Sequence, residues 1–224
     1  MKDLETTRAQ IDPRQTALIV VDVENGFTHP DATLAKAGLD VASARAAVPK
    51  MNELIRAARA AGVHIVYLQS VYSGEMNLPN NYAFWGPWET MPIHDSSWET
   101  EFCSDLEQPQ PEDMIVKKYN YDAFSDTPLN LHLRARDIKT CVLIGVETCT
   151  CVETTARHAF ILGYNVILAL DCCAACGSSV EESRELHEAA LRILGLRFGT
   201  ILTGQKIAEA WAAVPAEIGA RRRA

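Results

Sequence analysis

The sequence has no run of ~18 apolar residues, the length a helix needs to cross a bilayer. Its first ten residues, MKDLETTRAQ, lack the apolar stretch of a secretory signal. A soluble, cytoplasmic protein that does not engage membranes is expected. Basic clusters are also missing. Lys and Arg number 21 against 29 Asp and Glu, for a net charge of −8. Phosphate backbones need clustered cations, so nucleic acid is excluded as a partner. The one basic run, Arg221-Arg222-Arg223, reads as a solvated tail. No internal repeat, linker or low-complexity stretch divides the 224 residues, so a single domain over 1–224 is expected. None of the six histidines pairs with another at a metal-ligand spacing.

Continuous apolar runs at residues 17–21, 63–68, 141–144 and 165–170 have the length of strands buried on both faces. Residues 114–116 are a shorter fifth candidate. A sixth lies within 196–202, weakened by Gly199. Helix signals fall between them. Residues 49–61 place Met51, Leu54, Ile55 and Ala58 on one face, with Pro49 in the first turn and Gly62 as the cap. Thr127-Pro128 opens a second helix, and residues 151–162 form a third ending at Gly163. Ser178 with Glu181 resembles a capping box for a fourth helix, and residues 205–212 make a short last one. This alternation predicts an α/β fold. It is a three-layer α-β-α sandwich around a six-stranded, mainly parallel, doubly wound sheet.

In such sheets ligands bind beyond the carboxyl ends of the strands. That rule selects Asp22, Gln69, Lys117 or Lys118, and residues 146–151. Together they offer a carboxylate, an ammonium and the Cys151 thiol. A helix start and a nearby cation favour a thiolate. A carboxylate in reach can take the thiol proton and return it to a leaving amine. The long stretch 71–110 holds Tyr82, Trp85, Trp88 and Trp98 and reads as a lid or pocket wall.

Three ordered motifs carry a family resemblance. The stretch ALIVVDVENGF resembles the first-strand signature of the isochorismatase-like cysteine hydrolases, written D-x-Q-N-D-F. Lys118-Tyr-Asn-Tyr-Asp-Ala-Phe124 with Thr127-Pro-Leu129 is similar to their K-x-R-Y-S-A-F…T-x-L segment. GVETCTCVETTARHAF, residues 145–160, is similar to their G-V-x-T-x-x-C-V-x-x-T-x-x-x-A-F motif. The resemblance implies an Asp22–Lys118–Cys151 triad. It also implies a cis Val146–Glu147 peptide, with the Glu147 and Cys151 N–H groups facing an oxyanion. Asn25, Phe27, Gln69, Trp88 and Glu147 are then candidates to contact a small-molecule substrate. The implied reaction is cysteine-dependent hydrolysis of a small amide, ureido or carbamoyl C–N bond through a thioester, with no cofactor. Family members commonly assemble, so a homo-oligomer (dimer or tetramer) is implied.

The chain departs from the pattern in places. The family's Q-N-D is Glu24-Asn25-Gly26, and the usual Ala or Thr after Gly-Val is Glu147. The nicotinamidase branch places a metal-holding Asp-x-His after the second strand, where this chain has Gln69-Ser70-Val71-Tyr72. The branch that cleaves the isochorismate enol ether lacks the cysteine present here as Cys151.

The seven cysteines (Cys103, Cys141, Cys149, Cys151, Cys172, Cys173 and Cys176) do not suit a disulfide framework in a chain of this kind. Cys149-x-Cys151 and Cys173-x-x-Cys176 leave open a four-thiolate zinc site, in a non-catalytic zinc- or redox-sensing protein. His29 or His94 leaves open a Cys–His dyad.

Overall fold

The computed structural model describes residues 11–76, 78–81, 86, 91–95 and 97–214. Six strands form one sheet: β1 (Thr16–Val21), β2 (His64–Ser70), β3 (Met114–Lys118), β4 (Thr140–Val146), β5 (Asn165–Ala174) and β6 (Thr200–Leu202). Their order is β3-β2-β1-β4-β5-β6, and every pairing is parallel. The expected α/β architecture is thus present, with all strands parallel.

Both faces of the sheet are covered. In β1, Leu18 and Val20 pack on one side with Met51, Leu54, Ile55 and Trp211. Ala17, Ile19 and Val21 pack on the other with Leu129, Leu133, Ala156 and Leu194. Two-sided burial is why this strand reads as an unbroken apolar run. The helices are α1 (Asn25–Thr28), α2 (Thr33–Lys36), α3 (Val41–Ala61), α4 (Leu129–Ala135), α5 (Glu153–Ile161), α6 (Val180–Arg197) and α7 (Gly204–Ala212). Among the described residues no helix is long and apolar enough to cross a membrane.

Three boundaries differ from the sequence reading. First, α3 begins eight residues before Pro49, which lies inside it. Asp40 caps the start by accepting from Ser43 N, and its carboxylate also accepts from Ser183 in α6. That cap and the packing of Val41, Ala44 and Val48 outweigh the single backbone bond that proline removes. Second, α6 is capped by Ser179, not Ser178, with Glu182 N donating to Ser179 Oγ. Third, β5 runs through Asp171-Cys172-Cys173 to Ala174, past a register shift opposite Leu143 and Gly145. Cys172 and Cys173 therefore belong to the strand itself. The Cys172 Sγ lies 3.4 Å from Lys50 O, and Cys173 Sγ lies 3.8 Å from Leu143 O.

The stretch after β2 is tied down at several points. Glu99, buried, accepts from Thr33 N and Oγ1 and from Ile93 N. Glu24 and Phe102 form an antiparallel bridge, and Tyr72 pairs with His94. Residues 91–95 and 97–102 are thereby held over the loop that follows β1.

Candidate active site

The chain winds outward from β1 to β2 and β3, then returns to β4 on the other side of β1. The crevice at this reversal is where ligands enter doubly wound sheets. Asp22 ends β1 there, with a left-handed φ of 49° that turns its side chain away from the strand line. Cys151 follows β4. Lys118 ends β3, two strands or about 10 Å from β1, and its long stem spans the end of β2.

The three side chains meet. Lys118 Nζ is 2.7 Å from Asp22 Oδ2, 3.4 Å from Cys151 Sγ and 2.9 Å from Asn120 O. Lys118 thus donates to Asn120 O and Cys151 Sγ and forms an ion pair with Asp22. Asp22 and Lys118 are fully buried, and Cys151 is nearly so.

Burial shapes the electrostatics. It would lower Lys118, but the facing charges of Asp22 and Cys151 outweigh it and hold the ammonium well above its usual range. Burial pushes the Asp22 carboxyl up, and the Lys118 charge opposes it. Burial pushes the Cys151 thiol well up; Lys118 pulls it down and Asp22 pushes it up again. Burial thus works against the thiolate favoured from the sequence, while the Lys118 charge works for it.

The local structure at Cys151 is corrected. Residues Thr148–Val152 form a single π-helical turn before α5, so Cys151 does not open an α-helix. The Glu147 carbonyl closes this turn by accepting from Thr150 N and Val152 N, each at 3.1 Å. The Val146–Glu147 peptide is cis, as the resemblance implied. Gly145 is required just before it. Its φ is 117°, and an added Cβ would lie 2.1 Å from Val21 O. That close approach of β4 to β1 sets Cys151 opposite Asp22.

The Lys118 segment is clamped from the helix side. Asp122 accepts from Phe124 N and Ser125 N and pairs with His158 Nδ1 at 2.6 Å. Thr155 Oγ1 accepts from Ala123 N. His158 thus braces this loop on α5 and does not approach the thiol.

A cavity of about 340 Å³ opens on Cys151. Phe27 and Glu147, both expected at the substrate, line it. Asn25 and Gln69 do not: Asn25 Nδ2 donates to Trp98 O and Gln69 Nε2 to Thr100 O, so both support the loop above. Trp88, Trp85 and Tyr82 lie outside the described residues, as does the basic run 221–223. The sequence reading missed Ser70, Tyr121 and Cys176 in the wall, whereas Thr150 falls in the selected segment 146–151 and Tyr72 in the stretch read as a pocket wall. Ser70 and Tyr121 each lie one to three residues from a position it selected, so a wider window at each strand end would have caught them.

Glu24 was noted only as a departure from the family's Gln. Its side chain is fully buried, with Oε1 accepting from Ser70 N at 2.6 Å. Burial, then the charge of Asp22, pushes this carboxyl well up. Gly26 has a packing reason: a Cβ there would meet Ile93 Cγ2 at 2.2 Å. The family's Asp would need Ile93 to move.

The rival readings find no matching cluster. His29 Nδ1 accepts from Asp31 N and its ring meets Trp98 edge-on, and neither His29 nor His94 lines the cavity. Among the described residues no three His, Cys, Asp or Glu side chains form a group able to hold a metal ion. Cys149, Cys151, Cys173 and Cys176 all lie within those residues.

Known proteins are similar to this chain in sequence and in fold. A ureidoacrylate amidohydrolase, RutB, of Acinetobacter baylyi is 32% identical over 212 residues, covering 88% of this chain and 84% of its own. A cysteine hydrolase from Pseudomonas syringae pv. phaseolicola superposes with a TM-score of 0.81 at 27% identity, covering 91% of this chain and 95% of that one. An N-carbamoylsarcosine amidase from Thermoplasma acidophilum does so at 0.66 with 26% identity, covering 85% and 96%. Residues 16–206 match the isochorismatase domain, and the chain belongs to that family.

Proposed function

We propose that this protein hydrolyses a small amide, ureido or carbamoyl C–N bond, with Cys151 as nucleophile. The observation that carries this reading is the sharing of one buried ammonium, Lys118, between the Asp22 carboxylate and the Cys151 sulfur at a cavity wall. The similarity to a ureidoacrylate amidohydrolase and an N-carbamoylsarcosine amidase supports the bond type.

A carboxylate and a thiol that share one ammonium set the order of proton movement. Asp22 takes the thiol proton as sulfur attacks the carbonyl carbon. The oxygen becomes negative and is held by the N–H groups of Glu147 and Cys151. Asp22 returns the proton to the nitrogen, the C–N bond breaks, and ammonia or an amine leaves. A thioester on Cys151 remains. Water, deprotonated by Asp22, attacks it and releases the acid and the thiol. Lys118 keeps its protons throughout and holds Asp22 ionised between steps. Glu147, on the cavity wall, accepts an N–H of the reacting group.

The test is ammonia release over a panel of amides and ureido compounds, wild type against Cys151→Ala. A loss of at least ~10³-fold is expected for a nucleophile. Mass spectrometry of the stalled enzyme should find an acyl group on Cys151. Full activity in Cys151→Ala would refute the mechanism.

A further inference from the structure

The cavity beside Cys151 carries an acid and no base. Glu147 is the one carboxylate among its described lining residues, and none of them is Lys, Arg or His. Lys118 stands behind the thiol, donating to Asn120 O and Cys151 Sγ and paired with the Asp22 charge, and it is absent from the wall. The loops around the crevice supply no replacement. Residues 71–116 hold nine Asp or Glu, no Lys or Arg, and one His, His94, which is absent from the wall. Residues 119–128, 147–151 and 175–179 hold no Lys, Arg or His. In the β1–α3 loop, Lys36 is exposed and absent from the wall, and His29 is engaged with Asp31 and Trp98. Apart from uncharged hydroxyl and thiol groups, the rest of the wall is apolar, chiefly Phe27, Leu34, Leu39, Pro92 and Ile93.

We infer that the site selects an uncharged amide or ureide bearing an apolar substituent, and discriminates against substrates that carry a free carboxylate. This rests on the hydrolase reading above and adds the substrate class. A carboxylate entering here would lose water and, besides neutral donors, meet a single charge of its own sign. An alkyl group would lose nothing and bury its surface against the wall. At ~30 Å³ per heavy atom, the cavity admits roughly ten such atoms. A ureido head uses four of them and leaves space for a substituent of about five or six carbons. The amidohydrolase relative named for ureidoacrylate is, by that name, described for a carboxylate. The wall found here predicts a different preference on the same fold.

The test compares isopentylurea with β-ureidopropionate, a pair of nearly equal shape that differs by an isopropyl group against a carboxylate. Ammonia release by the full-length protein should give kcat/KM at least ~100-fold higher for isopentylurea, since a like charge in a desolvated site costs several kcal/mol. Glu147→Gln removes that charge while keeping its size, and should narrow the ratio about tenfold. Equal or faster turnover of β-ureidopropionate, or a ratio unmoved by Glu147→Gln, overturns the inference. Ammonia release from neither compound, or release that survives Cys151→Ala, instead defeats the hydrolase reading on which it rests.

Discussion

Lys118→Met removes the cation from a buried cluster and leaves the Asp22 carboxylate without its partner. Met keeps most of the stem's volume, so the change is chiefly one of charge. The pair is 2.7 Å apart and both side chains are fully buried. Breaking a buried pair by removing one partner costs about 3–5 kcal/mol, because the other charge stays desolvated. For a chain of this size, at ~2–4 °C per kcal/mol, that lowers Tm by roughly 6–20 °C. Asp22 can escape only by binding a proton. Its native pKa then stands above its unfolded value, so the variant's deficit shrinks as pH falls and is largest above neutrality. Asp22→Asn leaves Lys118 stranded in the same way. The double variant removes both charges, so its loss should fall short of the sum of the singles by about 3 kcal/mol. Urea unfolding followed by tryptophan fluorescence measures all four proteins. Singles that add to within ~0.5 kcal/mol would show that the pair is not coupled and would refute the reasoning.

The same cluster makes a prediction about the thiol. The Asp22 charge is one of the influences raising Cys151, so Asp22→Asn leaves Lys118 as the facing charge and lowers the thiol. Alkylation of Cys151 by iodoacetamide at neutral pH should be at least ~tenfold faster than in wild type, a shift of one pKa unit being tenfold in thiolate. Slower labelling would contradict the assigned charges. Far from the site, His64 and His132 hold their Nε2 atoms 2.6 Å apart, and burial, then His132, pushes His64 down to about 4. Between that value and ~6.5 the unfolded chain binds a proton that the native ring refuses, so stability is complete above ~6.5 and is lost as pH falls toward 4. The ring is half-buried, so solvent screening reduces the total to about 1–2 kcal/mol. His64→Asn should flatten the fall in unfolding free energy between neutral pH and pH ~5 by about that much. An unchanged slope would rule out this pair as its source.

Much of this architecture was legible because its signals are local. The runs at 17–21, 141–144 and 166–169 are apolar on every residue, which only a doubly covered strand requires. Asp22, Lys118 and Cys151 stand at strand ends or just beyond them, where the fold places ligands, and the motifs around them have family spacing. Errors arose where a local signal met a longer-range one. Pro49 looked like a first turn, but Asp40 and Ser183 anchor the helix start far upstream. Asn25 and Gln69 looked like ligand contacts, but each binds a carbonyl of the 98–100 segment, roughly 30 to 70 residues away in sequence. Those carbonyls have no signature in the chain.

The sequence by itself determined the strand order's raw material, the identity of the acid, ammonium and thiol, and the shortage of cations around the crevice. These follow from residue type, period and count, which folding does not alter. The tertiary structure alone decided how the groups behave. Burial pushes the Cys151 thiol up, against the helix start and the lysine that argued for a thiolate. The 2.7 Å pairing commits the Lys118 charge to Asp22, so it cannot serve a substrate. It placed Glu147 on the wall and left Asn25 beneath the loop. Desolvation and distance are properties of the assembled molecule, because each depends on which atoms from remote segments exclude water around a charge.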